Sequence, residues 1–243
     1  MLENKRVSET LVRFLYNLEY DDLPFEVVLQ AKRCLIDYLG AVLGGTATET
    51  ADKIKRFLLR FGDEGENTVI GYRMNADIFK AAMANAITSH VLELDDGERH
   101  ATLHPGSSII STVLALVEKE KADGRKAITA IVAGYETAIR VGRAVQPSHR
   151  NRGFHGTATC GTLGAAMAAA KLLNLSEQEM TYALGIAGTS ASGFLQFLED
   201  GSEIKQYHPG KAAVLGLLAA YLAESGLTAP TDILKVKEAS LTL

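Results

Sequence analysis

An all-α, multi-helix domain is predicted from three observations. Apolar residues recur at helical spacing through most of the 243 residues, strict strand-type alternation is nearly absent, and turn signals leave only short connections between the helical stretches. Short connections imply antiparallel neighbours and hence a bundle.

The elements follow in order. An amphipathic helix is predicted over residues 9–18, with Ser8 as its cap. A stronger one over 25–43 places Val27, Val28, Ala31, Leu35, Tyr38, Leu39 and Val42 on one face, with Pro24 opening it and Gly44-Gly45 closing it. Residues 48–61 repeat the pattern through Ile54, Phe57, Leu58 and Phe61 and end at Gly62. The stretch 68–72 reads as a short strand or an extended turn. An alanine-rich helix then runs over 75–92, starting at Asn75. Its Ala81, Ala82, Ala84, Ala86 and Ser89 permit close helix contact, which predicts a central position. This helix delivers His90, and then Glu93-Leu94-Asp95-Asp96, to its C-terminal end. Carboxylates there oppose the helix dipole, and such a local conflict points to function. Further helices are predicted over 107–121, 126–145, 156–173, 177–188 and 209–225, divided at Asp123-Gly124, Pro147-Ser148 and Asn174, with Ser176 and Glu179 as a capping-box pair. There is no repeat period that would mark a solenoid, and the whole of 1–243 reads as one domain.

Composition narrows the function classes. A hydrophobic fraction of 47% supplies an ample core. The longest apolar run, 212–223, contains Gly216 and falls short of the roughly 20 residues a bilayer crossing needs. The first six residues lack the apolar stretch of a signal peptide, so a cytoplasmic location is expected. Cys34 and Cys160, both in apolar helical contexts, give neither a disulfide framework nor a metal pair and are expected to be buried thiols. A net charge of −4 argues against non-specific nucleic-acid binding. The densest basic stretch, Arg140 to Arg152, reads as a solvated loop or the rim of a pocket for acidic ligands.

Chemistry concentrates on three histidines that read as helix starts: His104 before Pro105-Gly106-Ser107, His155 within Gly153-Phe154-His155-Gly156-Thr157, and His208 before Pro209-Gly210-Lys211. Helix starts offer unpaired N–H groups and a positive dipole end, a setting for carboxylates or phosphates. Lys205 lies just upstream of His208, and Asp95-Asp96 upstream of His104. His100 and His104 stand at helical spacing, and a metal site drawn from Glu93, Asp95, Asp96, His100 and His104 is a competing reading. Pro105, however, disfavours the helical conformation for His104, and His-Glu-x-x-His and Cys-x-x-Cys are both missing. With no nucleophile elbow, Walker loop or dinucleotide fingerprint, proton chemistry on an anion remains. A histidine near its free pKa supplies the base. Lys205 and helix-start amides supply the positive charge that proton removal beside a carboxylate needs.

The stretches His90-Val-Leu-Glu-Leu-Asp-Asp96, His104-Pro-Gly-Ser107, Gly153-Phe-His-Gly-Thr157 leading into Cys160-Gly-Thr-Leu-Gly-Ala-Ala166, and Lys205-Gln-Tyr-His-Pro-Gly-Lys-Ala-Ala213, taken in order, resemble the MmgE/PrpD family over residues 8–234. The resemblance implies the family's helical domain and a lyase or isomerase of dehydratase, decarboxylase or epimerase type, acting on a small di- or tricarboxylate without metal or organic cofactor. It implies Glu93, His104, His155 and Lys205 as catalytic residues, with Asp95, Asp96 and His208 lining or supporting the site, and a homodimeric assembly. Two departures stand out. Glu93-Leu-Asp-Asp-Gly97 replaces the family's Asp-x-Asp-Asp-Thr, lengthening the first carboxylate and removing a hydroxyl. Residues 235–243 do not resemble the link to the family's α/β lid domain, so the lid is expected to be absent. The chain would then be either an incomplete member serving as a binding or assembly partner, or one that takes its lid from a separate polypeptide.

Overall fold

The computed structural model describes residues 7–61 and 65–235. Among them the chain forms α1 (Val7–Asn17), a 3-10 turn (Tyr20–Asp22), α2 (Phe25–Gly45), α3 (Glu49–Arg60), the antiparallel hairpin β1 (Asn67–Val69) and β2 (Met74–Ala76), α4 (Ile78–His90), α5 (Pro105–Glu120), α6 (Gly124–Val145), α7 (Ser148–Asn151), α8 (Gly156–Leu172), α9 (Glu177–Ser190), α10 (Phe197–Asp200) and α11 (Ile204–Glu224). The all-α prediction holds. Side-chain caps start several helices: Thr48 accepts from the Ala51 N–H, Asp123 from Lys126, and Ser176 forms the predicted capping box with Glu179. None of the described helices is long and apolar enough to cross a membrane.

The bundle is organised around α8, in which every residue except Lys171 is buried. It packs against α5, α6, α9 and α11. Small residues make that possible, because they let neighbouring backbones approach closely. A Cβ on Gly164 would lie 2.8 Å from the Gly134 carbonyl oxygen of α6 and 2.8 Å from Ile109 Cδ1 of α5. On the other side, a Cβ on Gly216 of α11 would sit 2.4 Å from Ala165 Cβ. The alanine-rich α4 is central as predicted, wedged among α2, α5 and α11. The C-terminus of α4, the N-termini of α5 and α8 and the first turns of α11 are the helix ends that carry the histidines of interest.

Several local expectations are corrected. Asn75 does not start α4; it pairs with Thr68 in the hairpin, and the helix begins beyond Asp77, whose carboxylate accepts from the Phe79 and Lys80 N–H groups. Asn85 pins that hairpin to α4 by accepting from Ile70 N and donating to Thr68 O. Ser8 lies inside α1 and is buried; its hydroxyl accepts from Leu234 N at 3.1 Å, tying the first helix to residues near the end of the described chain. His208 is not at a helix start, because α11 begins at Ile204 and continues through Pro209. Proline is tolerated there because the bond it forgoes is a single one, to the Lys205 carbonyl in the first turn. Leu39 and Phe57 fall on the solvent side of their helices, Pro147-Ser148 opens the short α7 rather than a plain turn, and α10 was not anticipated. Gly62, the predicted end of the third helix, lies outside the described residues. Cys160 is buried, and burial pushes its thiol up to about 11; Cys34 is only half-buried.

The α6–α8 crossing gives a direct test. Gly164→Val is expected to lose roughly 1–3 kcal/mol through overpacking, read as a lowered urea midpoint. Gly124→Ala, where the added methyl meets nothing within 4 Å, is expected to leave the midpoint unchanged or raise it slightly.

Candidate active site

His104 and His155 occupy the N-cap positions of α5 and α8, yet neither imidazole caps its own helix. Other groups take over that task. The His104 N–H donates to Thr157 Oγ1 at 3.0 Å. Pro105 has no N–H to satisfy, and the next one, on Gly106, donates to Asp96 Oδ1 at 2.9 Å. Asp96 also accepts from the Tyr135 hydroxyl at 2.7 Å. Burial pushes the Asp96 carboxyl up, and the bonds from Tyr135 and Gly106 pull it part of the way back. The His155 N–H donates to the Gly193 carbonyl at 2.9 Å. Both rings are thereby left free for other partners.

Each ring has a distinct partner behind it. His155 Nδ1 lies 2.8 Å from His208 Nδ1, so one donates to the other and the two cannot both be fully protonated. Burial, then the neighbouring His208 charge, lowers His155 to about 2; burial, then Lys211, lowers His208 to about 4. Both are neutral at physiological pH. Behind His104 stands the buried Asp95 carboxylate, with Oδ1 3.5 Å from His104 Nδ1. Asp95 is also held by His90, whose Nδ1 lies 3.0 and 2.9 Å from its two oxygens.

An open cleft of about 490 Å³ brings His104, His155 and Lys205 together, with Arg150, Phe197 and Leu198 among its other walls. Lys205, in the first turn of α11, forms an ion pair with Glu93, which is held in a left-handed backbone conformation (φ 53°) just past α4. Of the residues singled out in the sequence, then, three line the cleft. Asp95 and His208 stand behind the two histidines, Glu93 sits on Lys205, and Asp96 clamps the first turn of α5. Arg150 belongs to the basic stretch read as a pocket rim, and it does line the cleft. His90 and Tyr135 carried no site role in the sequence reading. The signal for His90 was present, since an apolar helix face that ends on a histidine five residues before an aspartate buries a polar ring that needs a partner.

A larger groove of about 820 Å³ lies between α1, α2 and α6. It shares no lining residue with the histidine cleft, and its Arg13–Glu9 and Arg140–Glu136 pairs neutralise one another. Volume is therefore a poorer guide here than convergent titratable groups.

The metal set considered from sequence does not assemble. Glu93 is engaged by Lys205, Asp96 by Gly106 and Tyr135, and His100 is exposed. His90, Asp95 and His104 do gather their donor atoms within 4.8 Å. The His90 Nδ1–Asp95 separations of 2.9 and 3.0 Å are hydrogen-bond distances, while His104 Nδ1 stands 3.5 Å from Asp95 Oδ1.

A family model described as the MmgE/PrpD N-terminal domain matches residues 9–241. The cis-aconitate decarboxylase of Aspergillus terreus is 33% identical over 235 residues, covering 94% of this chain and 48% of the relative. The cis-aconitate decarboxylase-like protein oryM of Aspergillus oryzae is 31% identical over 228 residues, 90% of this chain and 47% of the relative. Human cis-aconitate decarboxylase is 29% identical over 239 residues, 96% of this chain and 49% of the relative. The chain thus spans about half the length of the curated relatives it matches.

The buried His155–His208 pair predicts acid sensitivity. In the unfolded chain both histidines protonate near pH 6.5, whereas in the folded protein His208 does so only near 4 and His155 near 2. Below pH 6.5 the unfolded state therefore binds more protons, and stability falls as pH falls, by at most about 1.4 kcal/mol per pH unit for each histidine. Urea midpoints are expected to drop between pH 7 and pH 5, and the drop is expected to be shallower in a His155→Phe/His208→Leu double variant.

Proposed function

The chain belongs to the MmgE/PrpD family, and on that premise we propose that its cleft is that of a cofactor-independent lyase or isomerase acting on a small di- or tricarboxylate by histidine proton transfer. The observation that carries the reading is the convergence of His104, His155 and Lys205 on one cleft. The cis-aconitate decarboxylase names of the relatives favour a tricarboxylate among those substrates.

In the proposed mechanism a substrate carboxylate takes the place Glu93 now holds on Lys205, while Arg150 binds the remaining negative charge. His104, with Asp95 behind it to stabilise an imidazolium, removes the proton beside a carboxylate. His155, kept neutral by burial, serves as the hydrogen-bond donor and proton carrier on the other wall. Charge that develops on the substrate is met by fixed positive groups rather than by reorganising water. Glu93 tunes Lys205, Asp95 and His208 orient the histidines, and Asp96 keeps the first turn of α5 in place.

A second element of the reading rests on exposure. Leu198, on the cleft wall, is 60% exposed, and Phe194, next to the cleft residue Leu195 in sequence, is 63% exposed. Apolar side chains at the mouth favour a covering polypeptide, a lid in trans or a further segment, that expels water from the site. Without such cover the chain acts as a binding or assembly partner. Exposed Ile36 and Leu43 on α2 offer a face for a homodimer.

The test is proton exchange or turnover followed by NMR in deuterated buffer, with citrate, 2-methylcitrate, cis-aconitate and aspartate-derived acids. Turnover of one acid is expected, with His104→Ala and His155→Ala each slowing it about a hundredfold or more and Lys205→Met chiefly weakening substrate affinity. Binding without exchange would support the partner reading, and a folded protein that neither binds nor converts any of these acids would overturn both.

A further inference from the structure

We infer that His90 is a positioning residue for His104, acting through the buried carboxylate of Asp95 to hold His104 in the form protonated on Nδ1, with Nε2 left as a bare lone pair for the cleft. The His90 ring is fully buried at the end of α4. The chain then turns back on itself, with Glu93 N donating to His90 O at 3.0 Å, and the turn returns Asp95 to the His90 ring. Burying a carboxylate is unfavourable unless it is hydrogen-bonded. The His90 Nδ1–H answers that need, lying within 3.0 Å of both oxygens, and such a bond to a charged acceptor is strong. His90 Nε2 has no hydrogen-bond partner among the described residues, so the ring's one polar link is to Asp95.

The orientation carries forward to His104. A carboxylate only accepts hydrogen bonds, so the nitrogen that faces it is the one that keeps a proton. His104 Nδ1 is buried and lies 3.5 Å from Asp95 Oδ1, a separation that a small closing movement shortens to a hydrogen bond, as apo sites commonly require. A histidine's partner on one nitrogen sets the role of the other, which makes Nε2 the basic nitrogen of a ring that lines the cleft. The His90 and His104 rings also meet edge to face, with centroids 4.8 Å apart, which fixes the plane of the second ring against the first. His90 thus sets both the proton and the tilt of His104 without reaching the cleft.

The inference rests on the role proposed above for His104, but its readout does not need turnover. Long-range ring ¹H–¹⁵N spectra of ¹⁵N-labelled protein, with His104 assigned through His104→Ala, report which nitrogen carries the proton. The wild type is expected to show Nδ1–H on His104 and an exchange-protected, far-downfield Nδ1–H on His90. His90→Asn, whose amide N–H replaces Nδ1–H, is expected to keep the His104 form. His90→Leu and the ring-sized His90→Phe are expected to lose it and, on whichever acid is converted, to lower kcat at least tenfold with little change in KM. The inference is overturned by Nε2–H on wild-type His104, by an unprotected His90 Nδ1–H, or by an unchanged His104 form in His90→Leu or His90→Phe. It is also overturned if Zn²⁺ alone removes both Nδ1–H signals together, which would make the trio a metal centre. Failure of every acid in the panel to react would count against the lyase reading and leave the tautomer result standing.

Discussion

The approach of α6 and α11 to α8 is the constraint on which the cleft depends. A helix built of Gly, Ala and Thr buries little area per side chain, so its stabilisation comes from many short contacts rather than from a few large apolar groups. The benefit is positional. With Gly134 against Gly164 and Gly216 against Ala165, three helices have almost no freedom to slide, and their ends are fixed with them. His155 starts the central helix itself, Lys205 and His208 ride on one of its neighbours, and His104 starts another. Loops alone would hold such rings less well than the ends of interlocked helices do.

A second theme is the separation of capping from chemistry. Helix starts need acceptors for their N–H groups, and the residue at the N-cap usually supplies one. Here the work is delegated. Asp96 reaches the first turn of α5 from the preceding loop and is itself steadied by Tyr135 of α6, while Thr157 of α8 receives the His104 amide. The two N-cap imidazoles are then free to face a shared space, each with its own partner at the rear, a carboxylate for one and an imidazole for the other. Two chemically similar side chains thus sit in different settings, one against a carboxylate and one against a second imidazole that, with burial, keeps it neutral.

Most of this was legible in the sequence wherever the signal is local. Helical spacing located the long helices, and the capping-box pair Ser176 and Glu179 marked the start of α9. The alanine content of α4 foretold its central place, and three of the four residues read as catalytic meet in the cleft. The misreadings share a cause. Pro209-Gly210 carries the punctuation of a helix start, but the helix begins earlier, at Ile204, on an element that packs as a whole against α4 and α8. Asn75 and Asp77 are both acceptable starts by residue type; the choice was made by the pairing of Asn75 with Thr68 across the hairpin. The role of Asp96 depends on Tyr135, far along the chain, and could not be read from its neighbours. A helix such as α8, apolar on every side, has no polar face by which its partners can be assigned.

The short contact between His155 and His208 has a consequence for which outer ring nitrogen carries a proton. In a neutral pair joined through Nδ1, one ring must present a bare Nε2 and the other an Nε2–H, so two arrangements of opposite sense exist. A proton added at the outer nitrogen of His155 would drive its inner proton toward His208, and removal of one would reverse the shift. The polarity seen at the cleft wall is therefore written one residue deeper, beneath the backbone around Gly193. The two arrangements interconvert by moving protons alone, with neither ring turning over.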